Sequence, residues 1–163
     1  MRRMLLLIFA AISTTAASAA TVIIDRDLGF DATDSTVALQ RALSGDATTV
    51  VIRAMPNPWI TGKLVLARSG VTVLLEPGAV LQAKAGAFPG SGDCLIHVQD
   101  CNDVALVGYG ATLRMLNCDD PAYAQGEWRH CLALRGVEGA LIRGLTCTRA
   151  GGDGILVARG YRS

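Results

Sequence analysis

The stretch from residue 131 to residue 160 constrains the fold more than any other part of the chain. Leu132-Ala133-Leu134-Arg135-Gly136 returns 23 residues later as Ile155-Leu156-Val157-Ala158-Arg159-Gly160. Between the copies lies another short apolar piece, Ala140-Leu141-Ile142-Arg143-Gly144-Leu145-Thr146. Short strands closed by glycine-containing turns, recurring at a period in the twenties, are what a solenoid of parallel strands requires. One coil cannot bury its inner face alone, so it stacks on the next.

The preceding chain follows the same plan. Leu64-Val65-Leu66 leads to Ser69-Gly70, Val71-Thr72-Val73-Leu74-Leu75, Glu76-Pro77-Gly78 and Ala79-Val80-Leu81. Leu95-Ile96-His97-Val98 leads to Cys101-Asn102-Asp103, Val104-Ala105-Leu106-Val107, Gly108-Tyr109-Gly110 and Ala111-Thr112-Leu113. The coil starts Leu64, Leu95 and Leu132 are 31 and 37 residues apart. The excess over the last spacing falls in residues 84–93 and 116–130. Both read as loops on one side of a regular stack, where repeat proteins commonly build a binding face. The coils are expected to begin at Trp59. A β-sandwich would need antiparallel hairpins with tight two-residue turns, and no clear series of them is present.

Residues 1–19 read as an export signal: Arg2 and Arg3, an apolar run over residues 4–12, then the small-residue pattern Ala17-Ser18-Ala19. The apolar run is too short for an anchor helix, and no later stretch is long and apolar enough to cross a membrane. Cleavage after Ala19 takes the formal charge from +1 to −1. The remaining chain, residues 20–163, has no basic stripe suited to nucleic acid. Only Lys63 and Lys84 are lysine; the other basic residues are Arg. Arginine can clamp the carboxylate of an acidic sugar, although ordinary surface ion pairs are the preferred reading.

The five cysteines are Cys94, Cys101, Cys118, Cys131 and Cys147. In an oxidising compartment one or two disulfides could form, and an odd count leaves at least one thiol unpaired. No Cys/His spacing suggests zinc. Most of these residues read as small apolar side chains inside the stack. Nearer the start, residues 21–24 read as a strand and 25–34 as polar and turn-like. Asp34 is a good N-cap for a helix over residues 35–43, with Val37, Ala38, Leu39, Ala42 and Leu43 on a common side. Residues 49–52 form a β-branched strand.

Together, residues 31–43, 49–52, 60–66 and Gly70-Val71-Thr72-Val73-Leu74-Leu75-Glu76-Pro77-Gly78-Ala79 resemble the N-terminal part of the pectate-lyase-like superfamily. Gly151-Gly152-Asp153-Gly154-Ile155 resembles the Gly-Asp-Gly-Ile turn found in many such chains. The resemblance runs from about residue 25 onward. It implies an all-β fold, a right-handed parallel β-helix (solenoid) with a short N-terminal capping α-helix, here residues 34–43. Such a helix covers strand groups left unpaired at the end of a stack. It also implies an exported carbohydrate-active protein, a glycoside hydrolase or polysaccharide lyase. Because one fold hosts several chemistries, a non-catalytic glycan-binding or scaffold protein is the alternative.

Asp153 admits two readings: a catalytic or substrate-binding carboxylate projecting from a tight turn, or a turn residue satisfying backbone amides. In polygalacturonases, Asp residues on adjacent coils act as acid and base, and Asp153 resembles one of these by its Gly-Asp-Gly context. The loop over residues 117–130 supplies the other candidates. Trp128 offers a flat face for a sugar ring, and Glu127 or His130 could move protons. Arg129, Arg143 and Arg149 are candidate clamps for a uronate. Asp119 and Asp120 offer oxygen ligands that suit Ca²⁺, although the sequence requires no cofactor. Set against these, Trp128 could simply pin the loop, Asp119-Asp120-Pro121 could be only a turn, and His97 and Glu76 are assigned structural roles. A polysaccharide or oligosaccharide is the expected partner. The chain stops soon after Ile155-Leu156-Val157 with no polar capping segment, so it is expected to be an inactive fragment that self-associates through an open C-terminal end.

Overall fold

The computed structural model describes residues 20–117 and 128–158. The expected signal segment, Cys118, Asp119, Asp120, Glu127 and the last five residues lie outside them. In chain order the elements are β1 (Thr21–Ile23), α1 (Ile24–Asp27), α2 (Thr36–Ser44), β2 (Thr49–Ile52), β3 (Trp59–Thr61) and β4 (Leu64–Leu66). These are followed by β5 (Thr72–Leu75), β6 (Val80–Ala83), β7 (Cys94–Gln99), β8 (Ala105–Arg114), β9 (His130–Arg135), β10 (Leu141–Thr148) and β11 (Ile155–Ala158). Every pairing between these strands is parallel.

The strands form two open sheets. The larger runs β1-β2-β5-β8-β6-β3, with β10 added to β8; the smaller runs β4-β7-β9-β11. β8 belongs to both halves of the larger sheet, pairing with β5 through residues 105–107 and with β6 through residues 112–114. Chain order and register give three rows of partners. Val50, Val73, Leu106 and Ile142 form the first, and Trp59, Leu81, Leu113 and Cys147 the second. Leu64, Ile96, Leu132 and Ile155 form the third. Apart from Ile155, the residues of all three rows belong to or pack against one hydrophobic core. Strands of alternating burial, such as β2 and β5, point every second side chain into it. Trp59 is fully buried, with Phe30 edge-on at 4.8 Å. Its indole N–H donates to the Arg53 carbonyl at 2.9 Å, so burial leaves no polar group unpaired there. β10 and β11 bury least: Ile155 is 40 % and Val157 74 % exposed.

Helix α2 packs across the start of both sheets. Leu39, Ala42 and Leu43 are buried, while Val37 is 80 % exposed. Val37 was expected on the apolar side, but two residues of α-helix rotate it about 200° from Leu39. The helix also begins at Thr36 rather than Ser35; Asp34 still accepts from the Thr36 amide at 3.0 Å. The helix pairs with strand backbone as a further strand would. Gln40 Oε1 accepts from the Val65 amide at 2.8 Å, and its Nε2 donates to the Val65 carbonyl at 2.9 Å. Thr36 Oγ1 accepts from the Gly62 amide at 2.7 Å, and the Ser35 amide donates to Ile60 at 2.7 Å. Arg68 donates to the Leu43 and Ala47 carbonyls, closing the helix C-terminus.

Three other segments differ from expectation. Residues 24–27 form one helical turn, held by Asp27 accepting from the Ile23 amide at 2.8 Å. The parallel pairing starts before Trp59, because β1 and β2 already extend the larger sheet. Gly108-Tyr109-Gly110 bends the strand without ending it, so β8 is continuous. β10 makes the same bend through a register shift at Gly144, whose φ is +70° and whose added Cβ would lie 2.7 Å from the Tyr109 ring. Only glycine accommodates both conditions. No helix among the described residues is long and apolar enough to cross a membrane.

Candidate functional site

Segments 84–93 and 149–154 both connect the larger sheet to the smaller one, and residues 128–129 lead into β9 at the same corner. There the smaller sheet places Cys94 beside His130. Two residues before the Leu132–Ile155 pair, the same register brings Asp153 to the other side of His130. His130 and Asp153, 23 residues apart in sequence, therefore meet.

Hydrogen bonding defines how they meet. The Asp153 backbone amide donates to His130 Nδ1 at 2.9 Å. An amide can only donate, so that ring nitrogen is an acceptor and its lone pair is occupied. The Asp153 carboxylate stands 3.8 Å from the same nitrogen, beyond hydrogen-bonding range, with its side chain 66 % exposed. The Gly151 and Gly152 amides donate to the Arg129 carbonyl at 3.1 and 2.9 Å. A Cβ at Gly152 would lie 2.8 Å from His130 Cε1 and 3.0 Å from the Trp128 carbonyl carbon. His130, itself 6 % exposed, thus holds the 151–153 turn from beneath and leaves the Asp153 carboxylate in solvent.

Trp128 adjoins this turn through its backbone, and the residue is 67 % exposed. Arg129, expected at the substrate, is instead 4 % exposed. It donates from Nε to the Phe88 carbonyl at 2.7 Å and from a terminal nitrogen to the Pro89 carbonyl at 3.3 Å, tying two loops together. Arg149 is exposed at the start of the 149–154 segment with φ +57°. Arg143 is exposed on β10.

Sequence reasoning passed over Asp93 and Lys63. Lys63 Nζ lies 2.8 Å from Asp93 Oδ1, and the Gly90 amide donates to Asp93 Oδ2 at 2.8 Å. The Asp93 carbonyl accepts from the His130 amide at 3.1 Å, which puts this pair at the same corner. A signal was present: Gly92-Asp93 precedes β7 much as Gly152-Asp153 precedes β11.

His97 was assigned a structural role. Its Nε2 is buried and has no hydrogen-bond partner among the described residues. Burial, with Arg135 nearby, holds its pKa below the ordinary imidazole value. Burial also pushes the Cys94 thiol up to about 11, which keeps it protonated and inert at neutral pH. Among the described residues no group of three or more His, Cys, Asp or Glu is arranged to hold a metal ion. No protein-family model, curated protein or solved structure matches the chain.

Proposed function

We propose that this chain is an exported right-handed parallel β-helix protein that acts on a polysaccharide, with a sugar ring seated on Trp128 and the Asp153 carboxylate beside it. The observation that carries this reading is one rim bearing both an exposed indole and an exposed carboxylate, braced by His130. An aromatic face with adjacent polar groups suits a pyranose ring, whose C–H face is apolar and whose edge hydroxyls need partners. Asp153 is the group in contact with substrate, and His130 is a positioning residue. Arg149, exposed at the start of the 149–154 segment, supplies a positive charge that suits an acidic sugar.

A hydrolase requires a second carboxylate across the scissile bond. Asp93 precedes β7 at the same corner, on the far side of β9 from Asp153. It is, however, paired with Lys63 and the Gly90 amide. Glu127 is the remaining candidate from the sequence. A second reading, glycan binding without turnover, is favoured by the commitment of His130 Nδ1 to the Asp153 amide, which removes that nitrogen from proton transfer.

Incubation with pectin, alginate and neutral plant glycans separates these readings. New reducing ends indicate hydrolysis, ultraviolet-absorbing unsaturated ends indicate a lyase, and retention on immobilised glycan without products indicates binding. Trp128→Ala is expected to weaken every such signal at least tenfold with no change in thermal stability. Activity undiminished in Asp153→Asn removes Asp153 from the chemistry, and no interaction with any glycan overturns the proposal.

A further inference from the structure

Two thiols that the proposed glycan site does not use face each other inside the core. Cys131 lies on β9 of the smaller sheet and is fully buried; Cys147 lies on β10 of the larger sheet and is half-buried. Cys147 occupies the inward row of Trp59, Leu81 and Leu113. Cys131 Sγ lies 3.5 Å from the Leu113 carbonyl and 3.5 Å from the carbonyl of Thr148, the residue after Cys147. The two thiols are close enough to perturb each other's acidity. A Cβ on Gly154 would lie 3.0 Å from Cys147 Cβ, so the chain entering β11 closes over this pair.

We propose that Cys131 and Cys147 form a reversible disulfide that ties the two sheets together. The oxidant is a disulfide, either a small-molecule one or that of a thiol oxidase. The Cys147 thiolate attacks it, forming a mixed disulfide and releasing one thiolate. Cys131 then loses its proton and attacks Cys147 Sγ, expelling the second thiolate. Both leaving groups are protonated, so two thiols of the oxidant are produced for each disulfide made in the protein. The order follows from exposure, since only Cys147 is partly open to solvent.

The full chain, equilibrated with oxidised glutathione, alkylated and digested with trypsin without reduction, tests this. Cleavage after Arg129, Arg135, Arg143 and Arg149 puts Cys131 and Cys147 on separate short peptides, with Cys94 and Cys101 together on a third and Cys118 on a fourth. The expected product is one linked pair joining peptides 130–135 and 144–149, with the other cysteines alkylated. Closing a span of 16 residues is expected to raise Tm by roughly 5–10 °C, and dithiothreitol is expected to reverse the rise. Cys147→Ser removes the rise. Cys131→Ala does the same if it folds, and the peptide map of the unmodified sequence needs neither variant. A link through Cys94, Cys101 or Cys118, glutathione adducts without an internal link, or full alkylation of both thiols overturns the proposal.

Discussion

Gln40 is the most economical place to test how the first strands are protected. Its amide makes both hydrogen bonds that Val65 would otherwise offer to another strand, at 2.8 and 2.9 Å. Gln40→Met keeps the length of the side chain and most of its helix propensity but removes donor and acceptor together. Each lost bond is worth about 1 kcal/mol, so the variant is expected to lose about 2 kcal/mol. In a chain of this size that lowers Tm by roughly 6 °C. Urea unfolding followed by far-ultraviolet circular dichroism measures it, with the midpoint falling and the m-value unchanged. Gln40→Glu adds a signature. Ionised, it faces the Val65 carbonyl with a second acceptor and costs more than Met. Protonated, below about pH 4, it regains a donor and the deficit relative to the parent narrows. A Met variant within about 0.5 kcal/mol of the parent would mean that the Gln40 contacts do not protect this edge.

Gly144→Ala is expected to lose about 2–4 kcal/mol from an unfavourable positive φ combined with overlap on Tyr109, read by the same urea titration. Gly152→Ala is expected to displace the turn from His130, seen as a change in the His130 ring resonances by NMR and as weaker glycan retention, with little loss of secondary structure. Asp34 has its pKa lowered from 3.8 to about 2 by hydrogen bonds from Lys84 and Thr36. A depressed folded-state pKa contributes stability above the unfolded value that is lost as pH falls through about 2. Lys84→Met is therefore expected to flatten the decline in Tm between pH 4 and pH 2, and an unchanged acid limb would rule out this linkage.

Strand positions were legible because they follow from composition acting locally. β-branched and aliphatic runs bounded by Ser69-Gly70, Asn102-Asp103 and Glu138-Gly139 leave the backbone few alternatives, and the common period of the runs implies parallel neighbours. Features requiring knowledge of the partner were not legible. Nothing in residues 34–43 announces that Gln40 will hydrogen-bond to Val65, 25 positions away. Gly108-Tyr109-Gly110 carries the composition of a turn, yet its neighbours in β5 and β10 pull it into one bent strand.

The corner depends most on register. Whether Asp153 serves its own turn or faces a ligand could not be decided from Gly-Asp-Gly, because both roles use the same three residues. The residue that meets the turn is His130, on another strand. By accepting from the Asp153 amide it supplies what the carboxylate of a solitary turn Asp would otherwise supply. The turn is then satisfied without the side chain, and the Asp153 carboxylate is left in solvent.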